Sequence, residues 1–157
     1  MKLIAHRGNT KGPNPLEENK IEYIEKAISE GYDAEIDLWY FDNNFYLGHD
    51  EPQYKISALW LYQIKDFLWI HCKNQEALEK ISNSPVDYNY FWHEGDRYTL
   101  TSKGYIWSYP GQEYSYKFVV VMPENCNLLN FYGNDDIIDM SDYYCYAVCS
   151  DHVGRIK

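Results

Sequence analysis

Residues 33–50 read Asp33-Ala34-Glu35-Ile36-Asp37-Leu38-Trp39-Tyr40-Phe41-Asp42-Asn43-Asn44-Phe45-Tyr46-Leu47-Gly48-His49-Asp50. If residues 34–39 form a strand, its period of two places Glu35 and Asp37 on one face and Ala34, Ile36 and Leu38 on the other. Two carboxylates about 7 Å apart along a strand repel each other unless a cation lies between them. The pair is therefore either a solvated strand face or a site for a hard, oxygen-loving divalent cation.

Upstream, Lys2 to Ala5 reads as a short buried strand that runs into His6-Arg7-Gly8 and a loop rich in Gly, Asn and Pro. A helix is predicted over residues 15–30, with Asn14 as N-cap, Pro15 in the first turn, Ile21, Ile24 and Ile28 at helical spacing and Gly31 past its end. Downstream, Asp42-Asn43-Asn44 marks a turn, and Phe45 to Gly48 is extended. Ser57 caps a helix over Ala58 to Lys65, Phe67 to Cys72 is a strand, and Asn74 caps a helix from Gln75 to Ser82. This alternation is α/β in character, with crossovers long enough for parallel pairing. The second half reads differently: strands at Tyr88 to Trp92, Thr99 to Leu100, Tyr105 to Tyr109, Phe118 to Met122 and Tyr144 to Cys149, with few helices between them. Asn125 to Ser141 reads as a loop or short helices.

A chain of 157 residues fits a single domain spanning 1–157. Its net charge of -10 and lack of a basic stripe argue against nucleic acid as a partner. The apolar start ends at His6, too short for a signal-peptide core, and no later run reaches spanning length, so the expectation is a cytoplasmic protein with no integral membrane segment. The four cysteines lack paired zinc-site spacing and read as reduced packing residues. Seventeen tyrosines supply flat amphipathic rings, which suit either a sugar or polar headgroup or simply a Tyr-biased core.

Taken together, His6-Arg7-Gly8, Glu18-Asn19, Glu35-Ile36-Asp37 and Gly48-His49-Asp50 resemble, in order and spacing, the glycerophosphodiester phosphodiesterase family. That family belongs to a superfamily of phosphatidylinositol-specific phospholipase C-like TIM-barrel phosphodiesterases. The resemblance implies that His6 and His49 are the acid/base pair, that Glu35 and Asp37 bind Mg2+ or Ca2+, and that Arg7 lies near the substrate phosphate. Leu68-Trp69-Ile70-His71-Cys72-Lys73 aligns with the family's third strand, with His71 in place of an acidic ligand. His71 then either ligates, which admits the more nitrogen-tolerant Mn2+, or stands beside the site. Lys73 is a phosphate contact or a salt-bridge partner of the carboxylates, while Glu18 and Asp50 orient neighbouring groups. Ile106-Trp107-Ser108 and Val148-Cys149-Ser150-Asp151 echo the last barrel strands. Because a full barrel takes about 250 residues, the expected fold is a compact or incomplete TIM-like (β/α) barrel, largely parallel, with helices reduced in its second half.

The implied activity is that of a metal-dependent phosphoric diester hydrolase of lipid metabolism acting on a small, glycerophosphodiester-like substrate. Two imidazoles divide the base and acid roles, and the nucleophile is either water or a substrate hydroxyl. The alternatives are a catalytically weakened module that binds a phosphorylated sugar or lipid headgroup, and a tyrosine-rich interaction domain in which these residues are structural. His93 reads as part of a surface loop, with pocket lining as the other option. On the enzymatic reading, His6, Glu35, Asp37, His49 and His71 converge at the carboxyl ends of neighbouring strands.

Overall fold

The computed structural model describes residues 1–126, 140 and 143–156. Among these are ten strands: β1 (Lys2–Ala5), β2 (Asp33–Phe41), β3 (Asn44–Leu47), β4 (Tyr54–Ile56), β5 (Leu68–Cys72), β6 (Tyr90–Phe91), β7 (Tyr98–Leu100), β8 (Ile106–Ser108), β9 (Phe118–Val121) and β10 (Ala147–Ser150). Three α-helices accompany them: α1 (Ile21–Ser29), α2 (Ala58–Gln63) and α3 (Gln75–Ser82).

The sheet is hung on β2, which is buried from Asp33 to Leu38. One edge of β2 pairs in parallel with β5, from Ala34 opposite Leu68 to Leu38 opposite Cys72. The other edge takes β1 in parallel at its start and β3 antiparallel at its end. The β2–β3 connection is a tight hairpin in which Asp42 (φ 48°) and Asn43 (φ 60°) both adopt the left-handed conformation that two-residue hairpins require. β4 extends β3 antiparallel, and β6 extends β5 in parallel. Beyond β1 lie β10, β9 and β8, all parallel, and then β7, antiparallel to β8.

The period of two divides the core. Ile36, Leu38, Ile70 and Cys72 face outward into a cluster with Ile24, Leu61, Ala77 and Ile81 from the helices. Ile4, Trp69, Phe91, Trp107, Val119 and Cys149 pack together as a second cluster. The register sets Glu35 opposite Trp69 and Asp37 opposite His71, so the acidic pair shares its face with these two aromatic side chains.

This architecture overturns the expectation of a TIM-like barrel. The sheet mixes parallel and antiparallel pairs, and its order β4-β3-β2-β1-β10-β9-β8-β7, with β5 and β6 branching from β2, makes a curled half-barrel. Connections over residues 92–97, 101–105 and 109–117 carry no α-helix, because segments of this length and Gly/Pro content do not accommodate a crossover helix.

The first helix also begins later than the spacing predicts, at Ile21 rather than residue 15. Asn19 takes φ 63°, which interrupts a helix, because its side chain is committed to β2. Ser57 and Asn74 do cap α2 and α3, accepting from the Trp60 and Ala77 amides. The segment from Asn125 to Ser141 lies largely outside the described residues. Among the described residues no helix is long and apolar enough to cross a membrane.

Candidate functional site

β1 ends at Ala5, and His6-Arg7-Gly8 folds directly into a single 3-10 turn. Arg7 is left-handed there (φ 52°), which aims its backbone N–H at Glu35 Oε2, 3.1 Å away. Gly8 follows at φ 87°, where a Cβ would press on Tyr23 and Ile24 of α1. At the other end of the motif set, Gly48 donates its N–H to the Asp37 carbonyl (3.1 Å) and accepts from Trp39 Nε1 (2.6 Å). A Cβ on Gly48 would collide with the Glu51 carbonyl oxygen. Both motif glycines are thus imposed by close backbone approach, and they set down His6 and His49 beside β2.

Glu35, Asp37 and His71 each present one ligand atom, and the three atoms lie within 4.8 Å of one another. Trans ligands at bond lengths of 2.1–2.4 Å are separated by roughly 4.2–4.8 Å, so the triad fits around one ion. His71 Nε2 donates to the His93 carbonyl at 2.9 Å, so Nδ1, which bonds Asp37, is the nitrogen left to ligate an ion once deprotonated. That Nδ1 stands 3.1 Å from Asp37 Oδ1 and 3.9 Å from Glu35 Oε1. Two oxygens and one imidazole nitrogen suit manganese better than calcium.

The electrostatics of the two carboxylates differ. Burial and the neighbouring Asp37 charge push the Glu35 carboxyl above its ordinary range. Burial also works against the Asp37 charge, but the His71 hydrogen bond and the Arg7 and Lys73 charges outweigh it and hold Asp37 far below the usual carboxylate range. Arg7 Nε approaches Asp37 Oδ2 at 3.1 Å, and Lys73 Nζ stands 3.7 Å from Oδ1. Glu18 accepts from Arg7 Nη1 (3.1 Å) and Asn9 Nδ2 (2.8 Å), so it orients the guanidinium and stands outside the Glu35, Asp37 and His71 cluster.

His6 points Nε2 at Glu35 Oε2 (4.0 Å) and bonds Asp151 Oδ1 through Nδ1 (2.8 Å). Burial alone would lower the His6 pKa, but the Asp151 hydrogen bond and the Glu35 charge reverse this and raise it. His49 moves the other way: burial and the Arg7 charge lower it, although Asp50 Oδ1 sits 2.7 Å from its Nδ1. Asp50 itself has an 89 % exposed side chain, bonds His49 and lines the neighbouring cavity.

All five residues of the expected constellation, together with Arg7 and Lys73, line one cavity of about 430 Å³. A neighbouring cavity of about 470 Å³ shares His6, Arg7 and His49 with it and adds Glu18, Asn19, Gln53 and Asp151. His93, read from the sequence as part of a surface loop, instead lines the first cavity and supplies the carbonyl that orients His71. Asn9 escaped the sequence reading, since an isolated amide carries no spacing signal. Asn19 and Asp151 stood in the segments Glu18-Asn19 and Val148-Cys149-Ser150-Asp151 but were given no role there.

No known family, curated protein or solved structure matches this chain.

Proposed function

We propose that this chain is a divalent-metal-dependent phosphoric diester hydrolase acting on a small phosphodiester, with a site of glycerophosphodiester phosphodiesterase type. The observation that supports this most directly is the meeting of the Glu35, Asp37 and His71 donor atoms, with His6 Nε2 at their edge and Arg7 and Lys73 in the same cavity. The reading keeps the protein in the cytoplasm, where thiols such as buried Cys72 and Cys149 stay reduced.

A divalent ion held by Glu35, Asp37 and His71 would draw a non-bridging phosphoryl oxygen and offset the charge that gathers there. Arg7 and Lys73 hold the phosphate against the acidic triad. His49, whose pKa is lowered, takes the proton of the attacking hydroxyl, be it water or a hydroxyl of the substrate. His6, whose pKa is raised, gives its Nε2 proton to the leaving oxygen. With water as nucleophile, one P–O bond forms and one breaks, and the products are a phosphomonoester and an alcohol. Asp151 keeps Nδ1 of His6 engaged, so that Nε2 is the nitrogen that faces the reaction.

One observation favours a second reading. Arg7 and Lys73 already crowd Asp37 with positive charge. A module that binds a phosphorylated sugar or lipid headgroup would use these cations without turnover. The deciding experiment incubates the purified protein with bis(p-nitrophenyl) phosphate and with glycerophosphodiesters, in Mg2+, Ca2+, Mn2+ or EDTA. Hydrolysis that requires a metal and falls at least about 100-fold in His6→Ala supports the enzyme. Phosphate-ester binding without turnover under any condition supports the module.

A further inference from the structure

We infer that the wall of the cleft beyond His71 receives the heteroaromatic base of a nucleoside carried on one arm of the phosphodiester. This rests on the reading of the site as a phosphodiesterase and names its substrate class.

The wall is built where the two flanks of the curled sheet meet. Phe91 of β6 stacks on Trp107 of β8, with centroids 4.5 Å apart, and the residues that follow these strands meet again where the His93 and Tyr109 rings stand 5.6 Å apart. Trp92, His93, Glu94, Trp107, Tyr109 and Pro110 line this side of the cavity. His71 joins it to the acidic triad, since its ring lies flat on Phe91 (5.2 Å, 6°) while its Nδ1 faces Asp37. A group bonded to a phosphorus beside the triad therefore has the aromatic wall within reach.

The chemistry of the wall discriminates among occupants. A hexose or other polyol brings four or five hydroxyls, each of which is costly to bury without a partner. Of the wall's side-chain polar groups two are indole N–H donors, which leaves an imidazole, a carboxylate and a phenol as acceptors for the protons of those hydroxyls. A quaternary ammonium would be content with the rings and Glu94. It would leave the His93 imidazole unmatched, however, and His93 Nδ1 is already buried with no hydrogen-bond partner among the described residues. A heteroaromatic base needs what is present: faces to stack on and a hydrogen-bonding group at its edge, which the His93 imidazole supplies. About 430 Å³ accommodates one nucleotide, and a net charge of -10 disfavours a polymer of them.

The test measures binding of AMP, glycerol 3-phosphate, phosphocholine and glucose 1-phosphate to the full chain, with and without Mn2+, by calorimetry and tryptophan fluorescence. The same ligands are titrated into Trp92→Leu and Tyr109→Leu, two separate substitutions at half-buried and exposed positions, with circular dichroism as a check on folding. AMP is expected to bind at least tenfold more tightly than the other three and to quench fluorescence. Either variant should lose about tenfold for AMP and nothing for glycerol 3-phosphate. Equal or tighter binding of glycerol 3-phosphate, phosphocholine or glucose 1-phosphate overturns the inference, as does AMP affinity unchanged in both variants. If glycerophosphodiesters are hydrolysed while AMP fails these criteria, the base site falls and the phosphodiesterase stands. If AMP meets them and no diester is ever hydrolysed, the phosphodiesterase falls and the base site stands.

Discussion

Asn19 grips Asp37 at both ends: its Oδ1 accepts the Asp37 backbone N–H, and its Nδ2 donates to Asp37 Oδ2, each at 3.0 Å. The contact fills the gap on the β2 edge between β1, which pairs at Asp33 and Ala34, and β3, which pairs from Leu38 onward. Both partners are about 99 % buried, so the Asp37 amide has no water to fall back on. Asn19→Ala is expected to cost about 2 kcal/mol of unfolding free energy, read by urea denaturation. A loss under about 0.5 kcal/mol would mean that the gap is filled some other way.

Glu35 and Asp37 should respond oppositely to neutralisation. Burial and the Asp37 charge both work against the Glu35 carboxylate, whereas Asp37 lies beside Arg7 and Lys73. In metal-free protein at neutral pH, Glu35→Gln should therefore raise stability by about 1 kcal/mol and Asp37→Asn should lower it by about 2 kcal/mol or more. Both should abolish the rise in melting temperature that Mn2+ is expected to give the wild type. Thermal scans with and without Mn2+ check all four outcomes.

In the proposed metal site His71 would decide the choice of ion. With Nε2 committed to the His93 carbonyl, only Nδ1 can ligate, and a proton competes with the ion for it. Mn2+ affinity should fall as pH falls. His71→Glu should move preference toward Mg2+ and Ca2+, and His71→Ala should lose tenfold or more for Mn2+. Calorimetric titration of the three proteins across pH measures this; identical affinities and selectivities would remove residue 71 from the metal site.

The His6–Asp151 pair should leave a signature in pH. The folded His6 pKa is raised, so its contribution is complete below the unfolded value near 6.5 and disappears as pH rises through the folded value. The folded Asp151 pKa is lowered, chiefly by the His6 hydrogen bond against the opposing effect of burial. Its contribution is complete above about 3.8 and disappears as pH falls through the folded value. Wild type should therefore exceed Asp151→Asn in stability by about 2 kcal/mol between roughly pH 4 and 6.5, with the gap narrowing on either side. Histidine NMR titration should place His6 above 6.5 in wild type and lower in the variant, where burial is no longer offset by the Asp151 bond.

Much of the site was legible because it depends on short-range geometry. Glu35 and Asp37 alternate onto one face of β2 wherever that strand is placed, and Gly8 and Gly48 stand where the backbone turns beside His6 and His49. The start of α1 was misread for the same reason: Asn14 and Pro15 are genuine local start signals, but the demand of Asp37 on Asn19 overrides them from 18 residues away.

Elements whose stabilising contacts lie within a few residues could be read from the chain alone: the caps at Ser57 and Asn74, the turn at Asp42-Asn43, and the carboxylates sharing one face of β2. The curl of the strands into a half-barrel of mixed pairing could not, since edge partners such as β10 on β1 are chosen by burial of the whole sheet in the folded molecule. The tertiary structure alone set Asp151 against His6, 145 residues distant, and turned His93 into the cavity to hold His71. A buried charge takes its partner from whatever the fold brings within about 3 Å, and no local spacing encodes that choice.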